Sequence, residues 1–82
     1  MKYYQIRILN HYTLEYREII RRTKIEIDFR EPYIELERDM IKSWEPPFKI
    51  IKLNDLDKDR IYNRVKVYLI YKFQSKTFYF ED

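Results

Sequence analysis

Period-two alternation opens the chain. Between Lys2 and Leu9, Tyr4, Ile6 and Ile8 fall on one side and Tyr3, Gln5 and Arg7 on the other, which predicts a half-buried strand. The pattern then changes. Asn10 and Thr13 suit a helix N-cap. Tyr12, Tyr16, Ile19, Ile20 and Thr23 share one helical arc against Glu15, Arg17, Glu18, Arg21 and Arg22, so the spacing predicts a helix over 12–23. Leu14 does not fit that arc, and a strand through Tyr12, Leu14 and Tyr16 is the competing reading. Lys24 to Arg30 alternates again, with Ile25, Ile27 and Phe29 inward.

Pro32 suits the first turn of a second helix, where its missing N–H costs nothing. Tyr33, Ile34, Leu36, Met40, Ile41 and Trp44 fill one arc of it, early acids and a late Lys42 match the macrodipole, and Pro46 and Pro47 end it. Phe48 to Leu53 reads as a short strand and Asn54 to Arg60 as a polar connection. Arg64 to Phe73 carries the strongest alternation, with Val65, Val67, Leu69, Tyr71 and Phe73 on one side and Arg64, Lys66, Tyr68, Ile70 and Lys72 on the other. A turn at Gln74–Lys76 leads to a last strand, Thr77 to Glu81. With no glycine in the chain, a two-residue hairpin turn is not expected and a longer loop takes its place. The predicted order is strand, helix, strand, helix, strand, strand, strand. It implies a single α+β domain over 1–82, one mixed sheet of about five strands with two helices on one face. An all-β barrel is the alternative if the first helix is a strand.

Composition narrows the chemistry. The 82 residues include no cysteine and one histidine, His11, which excludes disulfides and leaves no ordinary zinc ligand set. Zero glycine excludes a standard phosphate-cradling loop or dinucleotide fingerprint. A nucleophile triad would have to use His11, and neither Ser43 nor Ser75 has a supporting motif. Asp55, Asp57 and Asp59 imitate the start of a calcium loop, but Arg60 stands where glycine is needed and Lys66 where the bidentate glutamate belongs. No lysine has an acid two residues before it, which weakens a nuclease reading. Glu37 falls mid-arc on the second predicted helix, beside Tyr33, Met40 and Trp44, where a carboxylate needs a partner. No catalytic residue, metal or cofactor is expected.

Charge is unevenly spread. Residues 1–24 carry net +4, 25–45 net −4, 60–76 net +5 with no acid, and the whole chain +3. The expected function is therefore a non-catalytic interaction protein. A protein partner would use the acidic second helix through Glu35, Arg38 and Asp39. The alternative is nucleic-acid binding by an open sheet face bearing Tyr3, Arg7, Arg64, Lys66, Tyr68 and Lys72, against which Glu26 and Asp28 would repel phosphate. A small core and an aromatic edge at Thr77–Phe80 suggest a homodimer.

Charged residues at 38% and the absence of glycine and alanine point to an AT-rich, hot-adapted source. No family is recognised. The composition resembles that of short proteins of archaeal viruses and plasmids, many of which bind host factors. Residues 1–10 lack an apolar targeting core and no run is long enough to cross a bilayer, so a cytoplasmic location, in the host cell if viral, and no membrane partner are expected.

Overall fold

The computed structural model describes residues 3–81. Three strands, β1 (Tyr4–Asn10), β2 (Thr13–Glu18) and β3 (Arg21–Glu26), form an antiparallel meander. A fourth strand, β4 (Tyr33–Glu37), pairs in parallel with β5 (Thr77–Glu81), and the helix α1 (Asp55–Lys72) lies between them in sequence. Short 3-10 turns occupy Arg38–Met40 and Phe48–Ile50. The α+β class holds, but with two sheets instead of one and one helix instead of two.

Segment 12–23 is β-structure. Leu14, the misfit of the helical reading, is fully buried on β2 beside Tyr16, and both face Ile8 and Ile6 of β1. Ile25 and Thr23 of β3 complete this inner layer. Ile19 and Ile20 form a two-residue turn between the paired Glu18 and Arg21, so a tight hairpin occurs without glycine. Ile19 takes a positive φ of 56°, a costly conformation for a β-branched side chain. The inward alternation of Ile25, Ile27 and Phe29 is as expected: all three are buried, and Ile27 and Phe29 extend the hairpin by donating to the carbonyls of Tyr12 and His11.

The second predicted helix is absent. Ile34 and Leu36 are fully buried while Tyr33, Glu35 and Glu37 are exposed, a two-residue period. Pro32 precedes a strand, a position it tolerates because it need not donate to the ladder. Glu37 is accordingly exposed on β4, not set among apolar side chains. Beyond the 3-10 turn the chain runs along the outer edge of β3: the Thr23 hydroxyl donates to the Ser43 carbonyl at 2.8 Å and the Glu45 N–H to the Arg22 carbonyl at 2.7 Å. Ile41 and Trp44 are buried from this segment, and the Pro46–Pro47 peptide is cis.

The expected strands at 48–53 and 64–73 are a 3-10 turn and part of α1. The sequence reason is visible in retrospect. Ile61, Val65 and Leu69, four residues apart, are fully buried with Tyr62 nearly so, whereas Val67 and Tyr71 of the supposed inward strand face are exposed. Asn54 accepts from the Asp57 N–H at 2.8 Å and the Asp57 carboxylate accepts from the Asn54 N–H at 3.3 Å, a reciprocal cap. A parallel β4–β5 pair also requires a long crossover, which a hairpin at Gln74–Lys76 could not supply. Both sheets and α1 bury their apolar sides in one cluster, with Trp44, Tyr16, Leu14, Ile25, Ile34 and Leu36 among its fully enclosed members.

Candidate functional site

Each sheet turns a polar face outward, and the two faces differ in sign. In the meander, Arg7, Glu15 and Lys24 stand in register, as do Gln5, Arg17 and Arg22. Tyr3 extends this face, its carbonyl accepting from Ile19. Arg7, Arg17, Arg22 and Lys24 are therefore gathered over two carboxylates, Glu15 and Glu26. Glu15 is buried, with Arg7 3.1 Å away. Lys24 reaches Glu45 at 3.5 Å.

The outward face of β4–β5 is anionic and aromatic. Tyr33, Glu35 and Glu37 lie beside Thr77, Tyr79 and Glu81, residue opposite residue. Tyr33 and Tyr79 meet edge to face, ring centroids 5.8 Å apart, and both stay substantially exposed. Glu37 and Glu81 are paired across the strands; a hydrogen bond to Glu81 that is open to Glu37 only when it is protonated, and the charge of Glu81, hold Glu37 above the usual glutamate range. Among the described residues, no cation lies within ion-pair distance of Glu35, Glu37 or Glu81. A shallow groove lined by Glu26, Asp28, Glu31, Tyr33, Glu35 and Met40 continues this face.

The residues singled out in the sequence are dispersed. Of the protein-binding set, Glu35 is on the anionic face and Asp39 is exposed on the neighbouring 3-10 turn. Arg38 is withdrawn from it, held by Asp55 at 2.9 Å and Asp59 at 2.7 Å. Of the nucleic-acid set, Tyr3 and Arg7 are on the cationic face and the other four are on α1. Arg64 turns inward, donating to the Tyr16 hydroxyl at 2.8 Å and stacking 4.3 Å over the Tyr4 ring. Lys66 lies over the rings of Tyr62 and Phe80. Tyr68 is half-buried, and burial pushes its hydroxyl up. Lys72 is exposed in the last helical turn. These four do not share one face with Tyr3 and Arg7, because successive helical residues rotate by about 100° instead of alternating. The three aspartates have structural partners: Asp57 caps α1 and pairs with Arg60, while Asp55 and Asp59 hold Arg38.

Glu18 links the meander to α1. It accepts two bonds from Arg60, at 2.9 and 3.0 Å, one from Arg64 at 3.3 Å and one from the Tyr16 hydroxyl at 2.6 Å. Burial pushes its carboxyl up, but the Arg60 guanidinium and the Tyr16 hydroxyl, helped by the charges of Arg60 and Arg64, hold it below the usual range. Burial and the bond to Glu18 raise the Tyr16 hydroxyl to about 12.

Sequence reading missed the clustering of Arg17, Arg22 and Lys24 because it placed the first two on a helix. It missed the Glu37–Glu81 pair because parallel pairing of β4 with β5 has no local signal. The alternation of Tyr33, Glu35 and Glu37 around Ile34 and Leu36 was the available clue.

Comparison with protein-family models, curated proteins and solved structures found no match to this chain. No helix among the described residues is long and apolar enough to cross a membrane.

Proposed function

We propose that the protein acts by binding another protein, a basic one, through the anionic face of β4–β5. The observation that carries this reading is the in-register Glu37–Glu81 pair, flanked by Glu35 and by exposed Tyr33 and Tyr79. Like charges directly opposite across strands destabilise a sheet. A lysine or arginine from a partner would relieve that repulsion, so the free protein holds electrostatic energy that binding releases. Tyrosines beside it supply broad, stiff contact area of the kind that anchors interfaces. In this reading Glu35, Glu37, Tyr79 and Glu81 are the contacts, Asp39 lies at the rim, and Arg38 supports the fold.

A second reading has its own observation. Arg7, Arg17, Arg22 and Lys24 share the meander's outer face with Tyr3, an arrangement that suits phosphates and a stacked base. Arg7 and Lys24 already have carboxylate partners, and Glu26 opposes phosphate there, so the protein partner is preferred.

The test is affinity capture from nuclease-treated lysate, comparing wild type with a Glu35→Lys/Glu81→Lys variant and an Arg17→Glu/Arg22→Glu variant. A protein retained by wild type and by the arginine variant, but lost with the lysine variant, supports the first reading. Loss of all retained material on nuclease treatment, or retention by the lysine variant, overturns it.

A further inference from the structure

The solvent arc of α1 is unusual. Between Arg60 and Lys72 its exposed residues are Asn63, Val67, Ile70 and Tyr71, with no charge among them. Leu56, in the first turn of the helix, is 76% exposed, and Val67 and Tyr71 are 67% and 78% exposed. Leu56, Asn63 and Ile70 are seven residues apart, the spacing of one seam position in a helix pair, with a polar asparagine between two apolar residues. The helix is also polarised along its length. Three aspartates, Asp55, Asp57 and Asp59, and one lysine, Lys58, precede Arg60, and only basic charge follows, at Arg64, Lys66 and Lys72.

We propose that a second copy of this chain docks antiparallel on this arc of α1, with Asn63 at the twofold axis. Helical geometry makes the arc self-complementary under that operation. Leu56 and Ile70 lie about 10.5 Å on either side of Asn63 along the helix, so antiparallel pairing sets Leu56 against the second copy's Ile70, with Tyr71 beside it. Asp59 lies about 6 Å on one side and Lys66 about 4.5 Å on the other, about 20° apart around the helix and therefore on the same flank. The twofold axis brings Asp59 of one copy next to Lys66 of the other, twice. Arg38 holds one oxygen of Asp59, yet that side chain remains 56% exposed and free to take a second cation. Asparagine facing asparagine at the axis satisfies both amides and fixes the register. A parallel pair would instead bring acid ends together and basic ends together.

This surface is separate from the anionic face of β4–β5, so either can fail without the other. The test is sedimentation equilibrium on the whole chain between about 10 and 500 µM, the range in which a small interface dissociates. Wild type is expected at twice the monomer mass at the upper end. Ile70→Lys, an exposed position whose change should leave the circular dichroism spectrum unaltered, is expected to be monomeric throughout. Asp59→Lys should weaken the dimer at least tenfold, and adding Lys66→Asp should restore it. The chain has no cysteine, so Asn63→Cys is a clean reporter. Mild oxidation should join its copies across the axis, whereas Leu56→Cys, whose copies would be about 21 Å apart along the helices, should not cross-link. A monomer at every concentration, a dimer that Ile70→Lys leaves intact, or cross-linking no faster at Asn63→Cys than at Leu56→Cys would each overturn the proposal.

Discussion

Glu18→Ala removes the acceptor at which the meander meets α1, and its cost follows from what each former partner can do next. The Tyr16 ring is fully enclosed, and its hydroxyl donates only to Glu18, at 2.6 Å. Left without an acceptor, that donor loses about 1–3 kcal/mol. Arg60 fares better: it is about a third exposed and keeps Asp57 at 3.0 Å, so its share lies in the surface range of about 0.2–1 kcal/mol. Arg64 keeps the Tyr16 oxygen and the Tyr4 ring. The expected loss is about 2–3 kcal/mol, or roughly 10–20 °C in Tm for a domain of this size. The deficit should depend on pH in a fixed sense. Glu18 is held below its ordinary value, so its stabilisation is present above about 4.5 and is lost as pH falls through the depressed value. Thermal melts by circular dichroism at pH 7 and at about pH 2.5, well under the ordinary glutamate range, measure both effects. A deficit under about 0.5 kcal/mol at pH 7, or one equally large at both pH values, would refute the reasoning.

Glu37→Gln has the opposite sign. Because Glu81 raises Glu37, the wild-type pair loses stability as pH rises through the raised value, so urea unfolding should find the variant more stable at pH 7, with the gain gone below the ordinary glutamate value of 4.5. Ile19→Gly relieves a left-handed conformation that costs about 1–2 kcal/mol but adds about 0.5–1 kcal/mol of chain entropy, for a net gain between zero and about 1.5 kcal/mol in the same assay. Trp44 is 1% exposed, so Trp44→Ala should cost about 3–5 kcal/mol by denaturant unfolding, and a cost under about 1 kcal/mol would contradict its enclosure.

Legibility followed the strength of local pattern. β1, the inward set Ile25, Ile27 and Phe29, and β5 read correctly because alternation there has no helical competitor. Between 61 and 73 two periods coexist: Val65, Leu69 and Phe73 fit both a strand face and a four-residue helical repeat. Asn54 and Asp57, which cap the helix, read in the sequence as part of a polar connection. At 33–44 the apolar residues fill a helical arc as readily as they alternate, and Pro32 favours either ending. The turn at Ile19–Ile20 lacks turn-forming residues, so nothing local announced β2–β3. Glu35 stood out in the sequence through the charge of its segment, and its exposure on β4 follows from the alternation around Ile34 and Leu36. Its neighbours Tyr79 and Glu81 arrive through a parallel crossover over residues 38–76, which no local pattern encodes.

Fluorescence anisotropy distinguishes the anionic face from the cationic one directly. A labelled lysine- and arginine-rich peptide and a labelled single-stranded oligonucleotide are titrated with the protein at two salt concentrations. The expectation is that the peptide binds, that Glu35→Lys/Glu81→Lys abolishes its binding while Arg17→Glu/Arg22→Glu does not, and that the oligonucleotide binds no tighter than ordinary non-specific contact. Oligonucleotide binding tighter than about micromolar that falls steeply with salt and vanishes with Arg17→Glu/Arg22→Glu, alongside a peptide indifferent to Glu35 and Glu81, would contradict it.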